Sequence, residues 1–337
     1  MHFLITGHTG FKGAWLSLIL QQRGHVVSGI SLAPERGSLF EQASIGKYLE
    51  NDIYCDIRDL TKLTTSFKKI NPDVVIHLAA QALVRESYRN PIVTFETNAL
   101  GTLNVLQASQ QIGQLKAQLI VTTDKVYKNV SKSSGYVETE ALGGQDPYSA
   151  SKAMADLATQ SWLSSFENAP TAIARAGNVL GGGDVCADRL MPDLVHSYSS
   201  GATPKLRAPN SVRPWQHVLD CLNGYLTLVD AVIENKADGA WNFGPDENQS
   251  KTVADVANIA AEVWGVKKSW ENDSGNHPHE ASMLILNSNK ARTNLGWSDK
   301  LSFEETVEWT TNWYINVNSG KNPLEETLKN IRDFESR

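Results

Sequence analysis

Three glycines spaced three residues apart, Gly7, Gly10 and Gly13, constrain this chain more than any other feature. They follow a short apolar run, 3–6, and open a helical stretch, 11–22. Placed there, one glycine allows a tight turn, one lets the backbone approach a pyrophosphate, and one lets the helix pack closely on its strand. The helix N-terminus adds free N–H groups and the positive end of a dipole. The alternative is a plain strand–helix turn. A bare glycine pattern would not separate the two, but this one has a strand before it and a helix after it. The spacing therefore predicts a dinucleotide-binding turn.

Short apolar runs at 3–6, 26–30, 74–78, 119–122 and 171–175 alternate with helical patterns near 11–22, 60–70, 94–112 and 149–166. Such alternation predicts an α/β fold, a Rossmann-type doubly wound parallel sheet covered on both faces. Past residue 178 the rhythm breaks at Gly181-Gly182-Gly183 and at Pro192, Pro204, Pro209 and Pro214. Helical pieces return near 216–234, 251–265 and 302–314, followed by a charged, helical tail from about 319. We expect a dinucleotide-binding domain at 1–177 and a smaller C-terminal substrate-binding region at 178–337, with a ragged boundary.

A net charge of −6 gives no support for a nucleic acid or an anionic membrane as partner. Cys55, Cys186 and Cys221 are too few and too scattered for a disulfide framework or a metal knuckle, so reduced thiols and no metal site are expected. No apolar run reaches the length of a membrane span, and no signal-peptide pattern precedes the first strand, so the cytoplasm is the expected location.

The candidate cofactor-side residues are Gly7, Thr9, Gly10, Phe11, Lys12, Gly13, Asp56, Ile57, Leu78, Ala79, Ala80 and Thr122, together with Tyr148 and Lys152. Leu78, Ala79 and Ala80 follow a strand, and small residues there permit close approach of the cofactor. Lys12 opposes the helix dipole, so it is either solvated or meets an anionic part of a ligand. NAD is the expected cofactor. NADP stays open, because the end of the second strand offers both Glu35 for a ribose hydroxyl and Arg36 for a 2′-phosphate. Asp56 meets the adenine end or belongs to a helix cap. His77 reads as structural.

Tyr148 and Lys152 stand four apart on a predicted helix and share a face. A nearby ammonium favours the phenolate, which can take a hydroxyl proton as hydride leaves the same carbon. Thr123, at a strand end, can hydrogen-bond the forming carbonyl. Plain oxidation needs no more than this. Asp124 and Lys125 follow Thr123 directly, and an added acid and amine suggest a second proton-transfer step such as loss of water.

With these residues the chain resembles the extended short-chain dehydrogenase/reductase family, and within it the CDP-glucose 4,6-dehydratases. The likeness runs through most of the chain. Its specific motifs are Gly7-His8-Thr9-Gly10-Phe11-Lys12-Gly13, Asp124-Lys125 and Arg213-Pro214-Trp215-Gln216-His217. Weaker matches lie around His77 to Tyr88, Leu142 to Lys152, Ala174 to Val179, Asp188 to Leu190, Ala240 to Pro245 and His279 to Ala281. The resemblance implies oxidation of a nucleotide sugar at C4 by Tyr148, removal of the C5 proton with loss of the 6-hydroxyl as water, and return of hydride to C6. It places the acid on Asp124 and the base on Lys125; a fixed cation stabilising an enolate oxygen is an equally physical role for Lys125. It further implies CDP-glucose as substrate and a homodimer built on the 94–112 and 149–166 helices.

Arg213 is the best candidate for the substrate diphosphate, since guanidinium fits phosphate bidentately. Arg189 is the next, with a surface ion pair as its alternative. Asn178, Gln81, Ser87 and Tyr88 are candidates for sugar or phosphate contacts, with local loop hydrogen bonds as the alternative. His217 and His279 read as structural, and Trp15, Trp215, Trp241 and Trp297 as core. The chain departs from the pattern at Thr123, where Ser is common and the hydroxyl survives, at Val126, where Cys is common, and at Asn287, where Asp is common. The rival readings are a dehydratase for another nucleotide sugar, a 4-epimerase, which needs no Asp124-Lys125 pair, and a non-catalytic cofactor sensor, which needs neither Tyr148 nor Lys152.

Overall fold

The computed structural model describes residues 1–167, 169–275 and 283–337; His279 lies outside them. Six strands are laid down in the first half: β1 (His2–Thr6), β2 (Val26–Ser31), β3 (Asn51–Tyr54), β4 (Val74–His77), β5 (Ala117–Val121) and β6 (Thr171–Ala176). They pair in parallel in the order 6-5-4-1-2-3, and the Gly239–Phe243 strand adds a seventh, parallel to β6. The order in which strands are added reverses between β1 and β4, where Thr6 stands beside His77. In an open parallel sheet the ligand crevice lies at the carboxyl ends of the strands flanking that point.

Apolar continuity explains the central strands. β4, β5 and β6 are buried at every position, as strands covered on both faces must be. One face packs against Phe11–Gln22 and Val218–Ile233, whose Trp15, Leu16, Leu222 and Tyr225 are among the most buried side chains. The other packs against Leu60–Ile70 and Gly101–Ser109, through Leu63, Phe67 and Val105. Trp15, Trp215, Trp241 and Trp297 are all buried.

The helices expected at 11–22 and 60–70 form with those bounds, the second capped by Asp59, which accepts from the Lys62 N–H at 3.0 Å. The helix expected over 94–112 forms, running from Pro91 to Ser109, but with a widened turn inside it. Pro91–Phe95 and Gly101–Ser109 are joined by a π-helical turn, Glu96–Leu100. The reason is tertiary. Within that turn the Asn98 amide accepts from the Gln81 N–H at 2.8 Å and donates to the Gln81 carbonyl at 3.0 Å and to Ser151 Oγ at 2.9 Å. Such widened turns recur where a helix serves a site. The charged tail forms Pro323–Glu335, which buries Ile331 and Phe334 in the main core.

Asp220 gives this core a dependence on pH. It is 1% exposed, on the Val218–Ile233 helix, and its Oδ1 accepts from the Lys300 N–H at 2.7 Å. Its Oδ2 is unpartnered among the described residues, and burial raises its pKa to about 7. The folded state therefore holds this proton where the unfolded chain has lost it, and stability falls as pH rises from about 4 to about 7. Asp220→Asn is expected to remove that fall, leaving stability at pH 4 little changed and raising it above pH 7 by on the order of 4 kcal/mol. Thermal unfolding across this range measures it; parallel wild-type and variant curves would show that the carboxyl is ionised throughout.

Candidate active site

The glycine turn is built as its spacing requires. Gly7 takes φ +80°, and a Cβ there would lie 2.7 Å from the Ala79 nitrogen. A Cβ on Gly13 would fall 2.2 Å from the Gly7 carbonyl oxygen. Gly10 is exposed, and the first helix carries no side-chain cap at that residue. Thr9 Oγ1 donates to the Leu32 carbonyl at 3.0 Å and lies 2.8 Å from Ser31 Oγ, fixing the end of β2. His8 is buried in the same turn, 2.8 Å from Asp52 on β3, and burial depresses its pKa.

Phe11, Leu78, Ala79 and Ala80 are half-buried around the turn. His77 is buried between Thr6 and Thr102, and its pKa falls to about 3, a neutral structural ring. Ile57 is buried against Gly101. Asp56 is bonded to Arg58, at 2.6 Å from Nη2, and this guanidinium holds its carboxyl below the usual range. Glu35 and Arg36 are both exposed.

Beyond the glycine turn the five candidate catalytic residues, Thr123, Asp124, Lys125, Tyr148 and Lys152, lie together. Pro147–Ser165 begins with Asp146 accepting from the Ser149 N–H at 2.9 Å, and Pro147 occupies its first position. This start sets Tyr148 and, one turn on, Lys152 facing the end of β5. Lys152 Nζ donates to the Val121 carbonyl at 2.9 Å. After β5 the chain runs through Thr122 and Thr123 into a tight turn, Asp124–Val126. Thr123 Oγ1 donates to Asp124 Oδ1 at 2.9 Å and accepts from the Lys125 N–H at 3.4 Å. The Lys125 ammonium lies 5.8 Å from the centre of the Tyr148 ring.

Burial sets the proton affinities. It pushes the Tyr148 phenol up to about 12, against the opposing effects of hydrogen bonding with Thr123 and of the nearby Arg189 guanidinium. This reverses the expectation of a lowered phenol, because burial outweighs the groups that favour the phenolate. Lys152 is itself lowered to about 8 by burial and by the charge of Lys12. Asp124 is 1% exposed and its carboxyl is raised by burial, although Lys125, Thr123, Arg213 and Lys12 all pull it down. Its Oδ2 has no partner among the described residues.

Lys12 is not left in solvent. Its Nζ donates to the Tyr225 hydroxyl at 3.1 Å, across to the second half of the chain and within electrostatic reach of Asp124 and Lys152. Arg189 caps Leu190–Ser199, lies 3.4 Å from Asp184, and acts on the Tyr148 phenol. Arg213 is buried, donates to the Val212 carbonyl at 2.9 Å, and acts on Asp124. Asn178 is half-buried and Tyr88 exposed. Gln81 and Ser87 make the local bonds left open for them: Gln81 with Leu83 and Thr94, Ser87 with the Val84 carbonyl. Single-residue reasoning passed over Asn98, Tyr225, Asp156 and Arg175. Only Asp156 had a local signal, since it lies one further turn beyond Lys152 on the same helix.

Residues 4–310 match the family described as GDP-mannose 4,6 dehydratase. A CDP-glucose 4,6-dehydratase of Salmonella typhimurium is 41% identical, over 98% of this chain and 95% of its own length. A dTDP-glucose 4,6-dehydratase of Escherichia coli is 27% identical, over 95% and 96%. Among solved structures, a Bacillus anthracis dTDP-glucose 4,6-dehydratase in complex with NAD shares the fold, with a TM-score of 0.81, 24% identity and coverage of 96% and 99%. A Thermus thermophilus UDP-glucose 4-epimerase complex with NAD does so with a TM-score of 0.81, 24% identity and coverage of 94% and 99%. The chain thus belongs to the GDP-mannose 4,6 dehydratase family, within the extended short-chain dehydrogenases/reductases.

Proposed function

We propose that this protein converts CDP-D-glucose to CDP-4-dehydro-6-deoxy-D-glucose and water, using NAD that is regenerated in each turnover. The observation that carries the reading is the buried Asp124, with one carboxylate oxygen unpartnered among the described residues, next in sequence to Lys125, whose ammonium lies 5.8 Å from the Tyr148 ring. Oxidation alone would leave that acid and amine without a task. The 41% identical CDP-glucose 4,6-dehydratase supports the base and sugar, and the NAD complexes of the structural relatives support NAD over NADP.

The glycine turn fits a dinucleotide: Gly10 leaves its face open, and the uncapped helix start presents N–H groups to a pyrophosphate. Bound NAD supplies the acceptor for the C4 hydride and its later return to C6. Around it Gly7, Gly10 and Gly13 would hold the pyrophosphate, with Thr9, Phe11, Lys12, Asp56, Ile57, Leu78, Ala79, Ala80 and Thr122 along its length. We assign Tyr148 to take the C4 hydroxyl proton, Lys152 to orient Tyr148, and Thr123 to hold the C4 oxygen. Asp124, whose proton affinity burial raises, delivers a proton to the departing 6-hydroxyl. Lys125 removes the C5 proton or, with that proton passing to water, stabilises the enolate left at C4. Arg189 and Arg213 hold the diphosphate, and Asn178, Gln81, Ser87 and Tyr88 the sugar side.

No helix among the described residues is long and apolar enough to cross a membrane. We place the enzyme in the cytoplasm as a homodimer. Exposed Ile92, Val93 and Leu100, with Met154 and Leu157 on Pro147–Ser165, offer an apolar face for a second copy.

Incubation with CDP-glucose and mass spectrometry of the sugar nucleotide tests the reaction. The product is expected to be lighter by one water. An altered sugar of unchanged mass would make the protein an epimerase, and turnover of only another nucleotide sugar would move the specificity.

A further inference from the structure

The turn that carries Thr123, Asp124 and Lys125 is short, yet one buried ion pair reaches both of its ends. Asp156 and Arg175 are 0% and 1% exposed. Arg175 grips the carboxylate with two parallel bonds, Nε to Oδ2 and Nη2 to Oδ1, each 2.8 Å. Before the turn, Thr122 Oγ1 donates to Asp156 Oδ2 at 3.1 Å. After it, the Tyr127 hydroxyl accepts from Arg175 Nη1 at 3.0 Å and donates to Asn242 Oδ1 at 2.7 Å. Arg175 Nη1 also donates to the Glu138 carbonyl at 3.0 Å. Two residues beyond Arg175, Gly177 closes on the turn: a Cβ there would lie 3.2 Å from Asp124 Oδ2.

We infer that Asp156 and Arg175 are positioning residues that clamp the Thr123-Asp124-Lys125 turn from both sides and serve water loss more than C4 oxidation. The inference rests on the dehydratase reading above. Tyr148 and Lys152 have anchors of their own: the Asp146 cap, the Asn98 bond to Ser151 next to Lys152, and the Lys152 bond to Val121. Asp124 takes a side-chain bond from its neighbour Thr123, so its placement depends on what holds the turn's ends. Proton transfer to a departing hydroxyl tolerates little displacement, and about 1 Å of misplacement costs roughly 100-fold.

The test compares the two steps in Asp156→Asn and Tyr127→Phe, with NAD and CDP-glucose bound. C4 oxidation is followed by the near-ultraviolet absorbance of the reduced nicotinamide in a single turnover, and water loss by product mass. Tyr127→Phe is expected to reduce the nicotinamide within about three-fold of wild type while losing water about 10- to 100-fold more slowly, so that the reduced cofactor accumulates; Asp156→Asn, whose carboxylate also raises the proton affinity of Lys152, is expected to share the slower water loss. Equal losses in the two steps of Tyr127→Phe, or no loss in either, would overturn the inference. Asp156→Asn strips a buried charge from its partner; if it does not fold, Tyr127→Phe, which removes one hydroxyl, decides alone. Wild type in the same assay separates the two readings. If it reduces the nicotinamide but releases no water, the dehydratase reading fails and the clamp falls with it.

Discussion

Lys125→Ala is expected to stop water loss while C4 oxidation continues. The oxidising groups, Tyr148, Lys152 and Thr123, stay in place, because neither Lys152, bonded to the Val121 carbonyl, nor Thr123, bonded to Asp124, depends on the Lys125 side chain. Loss of a group that stabilises developing charge or moves a proton in a dry site costs about 100- to 1,000-fold. The signature is reduced nicotinamide that persists on the enzyme with sugar nucleotide of unchanged composition. Dehydration at the wild-type rate would remove Lys125 from the chemistry. Lys125→Arg then separates its two roles. A guanidinium keeps the charge but does not act as a base at ordinary pH. Retained dehydration assigns a fixed cation, and loss equal to that of Lys125→Ala assigns the base.

Tyr148→Phe is expected to abolish both steps, by about 100- to 10,000-fold, since water loss waits on the 4-ketone. Here no reduced nicotinamide forms at any time, the opposite of the Lys125→Ala signature. The change removes one hydroxyl from a residue 9% exposed, so thermal stability should hold while activity falls. A variant that still reduces the nicotinamide would mean that another group takes the C4 proton, and Lys152, with its pKa lowered to about 8, is the nearest alternative.

Much of this was legible in the chain because it is local. The Gly7, Gly10 and Gly13 spacing announced a turn whose constraints lie within seven residues, and two of the three glycines prove sterically obligatory, Gly7 against Ala79 and Gly13 against the Gly7 carbonyl. Tyr148 and Lys152 share a helix face by arithmetic, and the 60–70 helix ends where its apolar period does. What escaped was set by partners far along the chain. The Tyr225 hydroxyl that receives Lys12 lies 213 residues away, so a cation at a helix start looked unexplained. The π turn inside the 94–112 helix follows from Asn98 reaching Gln81 and Ser151, which no propensity records. The phenol's raised proton affinity comes from its burial, which helix spacing does not record.

The seventh strand bears on how the protein is made. Gly239–Phe243 pairs with β6 along five residues, from Gly239 beside Ala172 to Phe243 beside Ala176. Until residue 243 has emerged from the ribosome, β6 is an unpaired border, and its six residues, all buried in the finished molecule, are open to water and to neighbouring nascent chains. The Arg175 network waits on the same strand, because Asn242 receives the Tyr127 hydroxyl. More than sixty residues of synthesis separate the end of β6 from the strand that covers it. In that interval β6 presents an edge open to pairing with another chain, and a stall there prolongs the exposure.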